Sequence, residues 1–125
     1  MIKELEHTAD IAYEISFKDL KELFYDIMIV LRNHASFVSV EGYMREEYSL
    51  SGNIEDDIFD ITNEMIFKID SGWIPREIEV KSNKVKVSYR AASVLSFPIK
   101  ALTYHMLKVE DAEDDMKKVK VVFDI

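Results

Sequence analysis

From Ile11 to Phe17 apolar and polar positions alternate, and Ile11, Tyr13, Ile15 and Phe17 share one face. A period of two is what a strand with one buried face requires. At Asp19 the period lengthens: Leu20, Leu23, Phe24, Ile27, Val30 and Leu31 recur at helical spacing, predicting a helix that ends near Arg32 or Asn33. Asp19 can accept a backbone N–H at its start, and Glu22 three residues on completes an Asp variant of the capping box. The spacing returns at Ile54, Ile58, Ile61, Met65 and Ile69. Asn53 is a good cap for this second helix, with Asp56 at the third helical position, and Ser71-Gly72 stops it after about Asp70.

Between the helices, Ser36 to Leu50 is β-rich but poorly patterned, and two short strands are expected around a turn at Glu41-Gly42. Beyond Gly72 the period is two again. Ile78 and Val80, then Val85, Val87 and Tyr89, flank Ser82-Asn83-Lys84, the pattern of a hairpin. A loop over about Ala92 to Phe97, a strand from about Ile99 to Val109, an acidic loop and a last strand over Lys118 to Phe123 complete the prediction. With no repeat and no linker, residues 1–125 read as a single two-layer α+β domain, two amphipathic helices packed on a largely antiparallel β-sheet.

Composition narrows the function classes. With 48% hydrophobic residues and only three Gly and two Pro in 125 residues, the chain has material for one core and is a poor candidate for disorder. The longest apolar run, Ile27 to Leu31, is far short of the roughly 20 residues a membrane span needs. Met1 to Glu6 carries no apolar targeting segment, and the absence of cysteine removes disulfides, thiolate metal sites and thiol catalysis. A cytoplasmic protein is the expectation. A formal net charge of −8 repels phosphate backbones, so direct nucleic-acid binding is disfavoured as the main task, with room left for a local basic patch, and an acidic protein can dock on a basic one.

Three segments hold candidate chemistry. His7-Thr8-Ala9-Asp10 precedes the first strand; its imidazole and carboxylate suit metal ligation or acid–base work, or serve local backbone donors. At the other end, Asp124 and the α-carboxylate of Ile125 lie only a few ångströms apart if the last strand is ordered throughout; such a pair repels or raises a pKa unless a cation or basic group compensates, and the alternative is a frayed terminus with both groups in water. In Lys100 to His105, strand parity puts Lys100 and Tyr104 on one face and His105 on the other; Lys100 could meet a phosphate or a partner, or be an exposed edge residue. The acidic run Glu110 to Asp115 is a solvated loop, because an EF-hand counted from Asp111 would need Gly where Met116 stands and Glu where Val122 stands. No phosphate loop, nucleophile elbow or zinc motif is present, so catalysis is not expected.

Taken together, Glu6 to Ile11 with Leu20 to Phe24, Ile99 to His105, and the terminal Val122 to Ile125 resemble the archease family, and Ile74 to Glu77 matches more weakly. The resemblance implies an accessory protein, not an enzyme, that activates an RtcB-type tRNA-splicing RNA ligase by promoting its GTP-dependent guanylylation and multiple turnover. The alternative it carries is a chaperone or modulator of another RNA-modifying enzyme, such as a tRNA methyltransferase. It implies a divalent metal ion, Ca²⁺ foremost with Mg²⁺ or Mn²⁺ as alternatives, on Asp10, Asp124 and Ile125, with His7 as a supporting group and Lys100 as the contact to partner or phosphate. Hard oxygen ligands suit those ions. Two positions depart from the family pattern: Phe17 stands where Gly is usual, which adds an apolar group to bury, and Asp19 caps the helix where Thr is usual.

Overall fold

In the computed structural model, which describes residues 1–5 and 10–125, both helices start at their predicted caps. The Glu22 N–H donates to Asp19 Oδ1 at 2.8 Å, and α1 (Leu20–Asn33) follows. The Asp56 N–H donates to Asn53 Oδ1 at 3.0 Å at the head of α2 (Ile54–Asp70). Each such bond satisfies one of the donors that a helix N-terminus leaves open. Asp57, buried in the first turn of α2, accepts the Ser51 N–H and hydroxyl at 2.9 and 2.8 Å, so its charge is solvated by the protein itself.

The strands are β1 (Ile2–Leu5), β2 (Ile11–Phe17), β3 (Ser36–Ser49), β4 (Trp73–Lys81), β5 (Lys84–Ser96), β6 (Ala101–Leu102), β7 (Val109–Asp111) and β8 (Lys117–Asp124). Among the described residues every pairing is antiparallel. The strands divide into two sheets: a five-stranded one in the order β1-β2-β8-β6, with β7 also on β8, and a three-stranded one in the order β3-β5-β4. The α+β class with two helices on antiparallel sheets therefore holds, with the sheet split in two. The helices join the halves, α1 touching β2 and β4, and α2 touching β4 and β6. Their apolar stripes meet Ile15, Val87, Val121 and Phe123 in one buried cluster. Phe17 joins it at 2% exposure, so the extra apolar group of the first strand lies in the core. Among the described residues no helix is long and apolar enough to cross a membrane.

Three local expectations are corrected. Ser36 to Leu50 holds one long strand; Glu41-Gly42 makes no turn but lies in the register shift between Ser39 and Tyr43, where extra residues bulge out of the ladder. Gly42 has φ +143°, and a Cβ there would come 3.0 Å from the Ala91 Cβ, so the residue serves a bulge under close packing. Ala92 to Phe97 is not a loop, because β5 continues to Ser96 against β3. Ile99 to Val109 is not one strand: Ala101–Leu102 pairs as β6, and the chain then turns, with Met106 at φ 63°, before β7 begins at Val109. The Leu102 N–H goes to the side chain of Asn63 on α2 at 2.8 Å instead of to a further strand. The predicted shared face of Lys100 and Tyr104 is lost with the strand.

Two consequences are measurable. Gly42→Ala should destabilise the protein by about 1–3 kcal/mol, the cost of a side chain in a disfavoured backbone region, visible as a lower urea midpoint. In the core, the hydroxyls of Tyr48 and Tyr89 bond at 2.8 Å. Burial first of all pushes Tyr48 up from 10.0 to about 12, and burial together with the bond to Tyr48 raises Tyr89 further. Raised acids hold their protons longer in the folded state, so this contribution is whole below about pH 10 and drains away as pH rises toward about 12. The urea midpoint should fall over that window, and fall less steeply in a Tyr48→Phe/Tyr89→Phe variant.

Candidate functional site

Strand β8 lies between β2 on one side and β6 and β7 on the other. Val119, Val121 and Phe123 point into the core, so alternation leaves Asp124 outside and exposed. The last pairs are Ile11 with Phe123 and Ala101 with Asp124. Asp10 immediately precedes Ile11 and Asp124 immediately follows Phe123, so the two carboxylates flank the same end of the β2–β8 ladder. Ile125 comes next, half-exposed.

The 100–103 segment clamps this end from the other side. The Lys100 N–H donates to the Asp124 carbonyl at 2.8 Å and the Thr103 N–H to the Val122 carbonyl at 2.8 Å. The Thr103 hydroxyl donates to Asp124 Oδ1 at 3.2 Å, fixing one carboxylate oxygen. The Lys100 side chain is exposed. Asp10, Lys100, Asp124 and Ile125 are thus brought to one sheet end, whereas His7 lies outside the described residues.

Helix α2 holds that clamp in place. Besides the Asn63 bond to Leu102, the Tyr104 hydroxyl donates to Asp56 Oδ1, and the Tyr104 ring meets Phe59 edge-on at 5.1 Å. Further along, the Val109 N–H donates to Glu55 Oε2 at 2.9 Å. The bond to Asp56 chiefly raises the Tyr104 hydroxyl above its ordinary value, with smaller contributions from desolvation and from the charges of Asp56, Glu55 and Asp60.

Among the described residues no three His, Asp or Glu side chains converge. The oxygen ligands at the end of β8 are instead the two side-chain carboxylates of Asp10 and Asp124, with the main chain of Ile125 beside them. This all-oxygen anionic set fits a hard divalent cation in kind, and Asp124 is oriented by Thr103 as metal ligands commonly are. Thr103 and Asn63 escaped the reading of the sequence. Thr103 sat inside a segment already singled out, but a lone threonine in a predicted strand carries no signal. Asn63 is one polar residue on a helix face, and only the tertiary contact gives it a role.

Compared with known proteins, residues 3–125 match the model of the Archease protein family (MTH1598/TM1083). The chain is 41% identical over 125 residues to the protein archease of Thermotoga maritima, covering 99% of each. It superposes with a TM-score of 0.82 and 40% identity on the crystal structure of a Thermotoga maritima archease described as a possible chaperone, covering 100% of this chain and 98% of that one. It also matches the solution structure of Methanobacterium thermoautotrophicum protein 1598, with a TM-score of 0.67 at 20% identity, a likeness of fold.

The clamp can be tested apart from any ligand. Asn63→Ala removes the acceptor of a bond to a buried residue's N–H and should cost about 1–3 kcal/mol in urea unfolding. Exchange of the Leu102 amide should rise in the same variant. An unchanged midpoint would mean that the segment is held without Asn63.

Proposed function

The chain belongs to the archease family, and on that premise we propose that it is a metal-binding accessory protein, not an enzyme, that activates an RtcB-type RNA ligase by promoting guanylylation and multiple turnover. The observation that supports this reading is that Asp10, Asp124, Ile125 and Lys100 lie at one end of β8, on a surface that offers oxygen ligands and charge. In this reading Asp10, Asp124 and the Ile125 carboxylate hold a divalent ion, Ca²⁺ by preference. When bound, the ion supplies a fixed positive centre to groups of the ligase. Thr103 keeps the Asp124 carboxylate turned outward, and Lys100 presents a second cation beside it to a carboxylate or phosphate of the partner. An acidic protein of charge −8 suits docking on the basic cleft expected of an RNA enzyme.

A second reading, a chaperone or modulator of another RNA-modifying enzyme such as a tRNA methyltransferase, is favoured by the description of the Thermotoga relative as a possible chaperone. The exposed apolar side chains Val38, Val40 and Leu95 on the long β3–β5 pair would serve it.

Calorimetric titration with Ca²⁺ should give a site that Asp10→Asn or Asp124→Asn weakens by at least about tenfold, since even the loss of an outer partner of a metal ligand commonly has that effect. In a ligation assay with ligase limiting, the wild-type protein should restore repeated turnover. Lys100→Ala should bind the ion normally, unfold within about 0.5 kcal/mol of wild type, and stimulate poorly. Undiminished affinity in both aspartate variants would remove the ion from this site, and full stimulation by Lys100→Ala would remove the lysine from the contact.

A further inference from the structure

Three of the chain's four arginines meet in one place. Arg45, Arg76 and Arg90 line a solvent-open groove of about 580 Å³ on the three-stranded sheet. Strand β5 buries Val85, Val87 and Tyr89, so Ser88 and Arg90 lie on the face turned away from the core. Across the β3 ladder Ser88 pairs with Arg45 and Arg90 with Tyr43. Arg76 is the extra residue of the bulge in β4 between Pro75 and Glu77, and bulges of this kind re-aim a side chain.

Nearby carboxylates do not neutralise this cluster. Glu47 is engaged with Lys84 at 3.3 Å and Lys86 at 3.5 Å, and Glu46 with Lys68 at 3.2 Å. Glu77 is the single acid lining the groove, and among the described residues no ion pair ties it to any of the three arginines. On a protein of charge −8, three arginines that form no ion pair among the described residues make this groove a local concentration of positive charge. Arg90 is also pre-set. Its guanidinium lies 5.3 Å over the Tyr43 ring and its Nη1 donates to the Tyr43 hydroxyl at 3.1 Å, while its Nε is buried with no acceptor. A buried donor left unmade is costly, and an incoming oxygen would satisfy it. Tyr43 itself is 76% exposed.

We propose that this groove binds a nucleotide, free or at the end of a nucleic-acid strand, with its phosphates on the arginines and its base stacked on Tyr43. The guanidinium fork matches phosphate oxygens in pairs, and an exposed ring beside it offers the stacking surface that a base uses and a carboxylate cannot. The volume lies within the roughly 300–1,000 Å³ of small-ligand sites, and Ser88 and Glu77 supply a hydroxyl and an acceptor for base or sugar edges. The site is separate from the end of β8, and its ligand can be measured on the purified full chain with neither ligase nor divalent ion present.

Titrate the chain, in low salt with a chelator, against ATP, GTP, inorganic pyrophosphate, a short single-stranded RNA and hexaglutamate. A nucleotide or the RNA should bind; binding by the RNA alone identifies the strand end as the source, and binding by both admits the free nucleotide. Tyr43→Leu should weaken nucleotide or RNA binding by about tenfold, within the range for loss of one stacked base, and leave pyrophosphate unaffected. Arg90→Gln and the surface variant Arg45→Gln should weaken all phosphate ligands, with circular dichroism unchanged for Arg45→Gln. No binding by any nucleotide or RNA at millimolar concentration, hexaglutamate binding as tightly as nucleotide, or indifference to both Tyr43→Leu and Arg45→Gln would each overturn the proposal.

Discussion

The arrangement of this protein depends on β8 being paired along both edges. Its inward side chains, Val119, Val121 and Phe123, are almost wholly buried, which fixes the strand's face, and its backbone is engaged by β2 on one side and by β7 and β6 in turn on the other. A strand paired on one edge can fray at its end; one paired on both, with Phe123 in the core and the Lys100 N–H on the Asp124 carbonyl, is held almost to its last residue. Asp124 is therefore a positioned carboxylate at the brink of a rigid element, where recognition and ligation are most sharply defined.

Both helices work toward the same end. Helix α1 packs between the two sheets through its apolar stripe, while α2 does so and also reaches out with polar groups. The first turn of α2 is acidic, which its own dipole favours; Asp56 accepts from Tyr104 in the irregular segment after β6, and Glu55 from Val109 at the head of β7. One feature of the sequence thus caps a helix and fastens the loop that clamps β8. The three-stranded sheet carries a different grouping, three arginines lining a groove beside an exposed tyrosine on a chain of net charge −8.

What could be read from the sequence followed the range of the interactions. Caps at Asp19 and Asn53 and the stripes behind them are decided within one or two helical turns, and both helices were legible. The strands at Ile11 to Phe17 and Lys118 to Phe123 showed their buried faces plainly. Gly42 was misread because glycine signals a turn and a bulge alike, and the choice between them was made by β5, more than forty residues away. The segment from Ile99 to Val109 departs from a single strand because it divides its bonds between β8 and the side chains of Asn63, Asp56 and Glu55 on α2. At the site, Asp10, Lys100, Asp124 and Ile125 were gathered by resemblance to a family rather than by spacing. The arginine groove takes one arginine from each of three strands, and no local pattern joins them.

The proposed accessory function needs a divalent ion at the clamped end of β8, and amide exchange tests that proposal most directly. The Lys100 and Thr103 amides close the ladder around Asp124. Added Ca²⁺ should slow exchange at these two amides while leaving those of the three-stranded sheet unchanged. Unaltered exchange at Lys100 and Thr103, or protection confined to the three-stranded sheet, would contradict it.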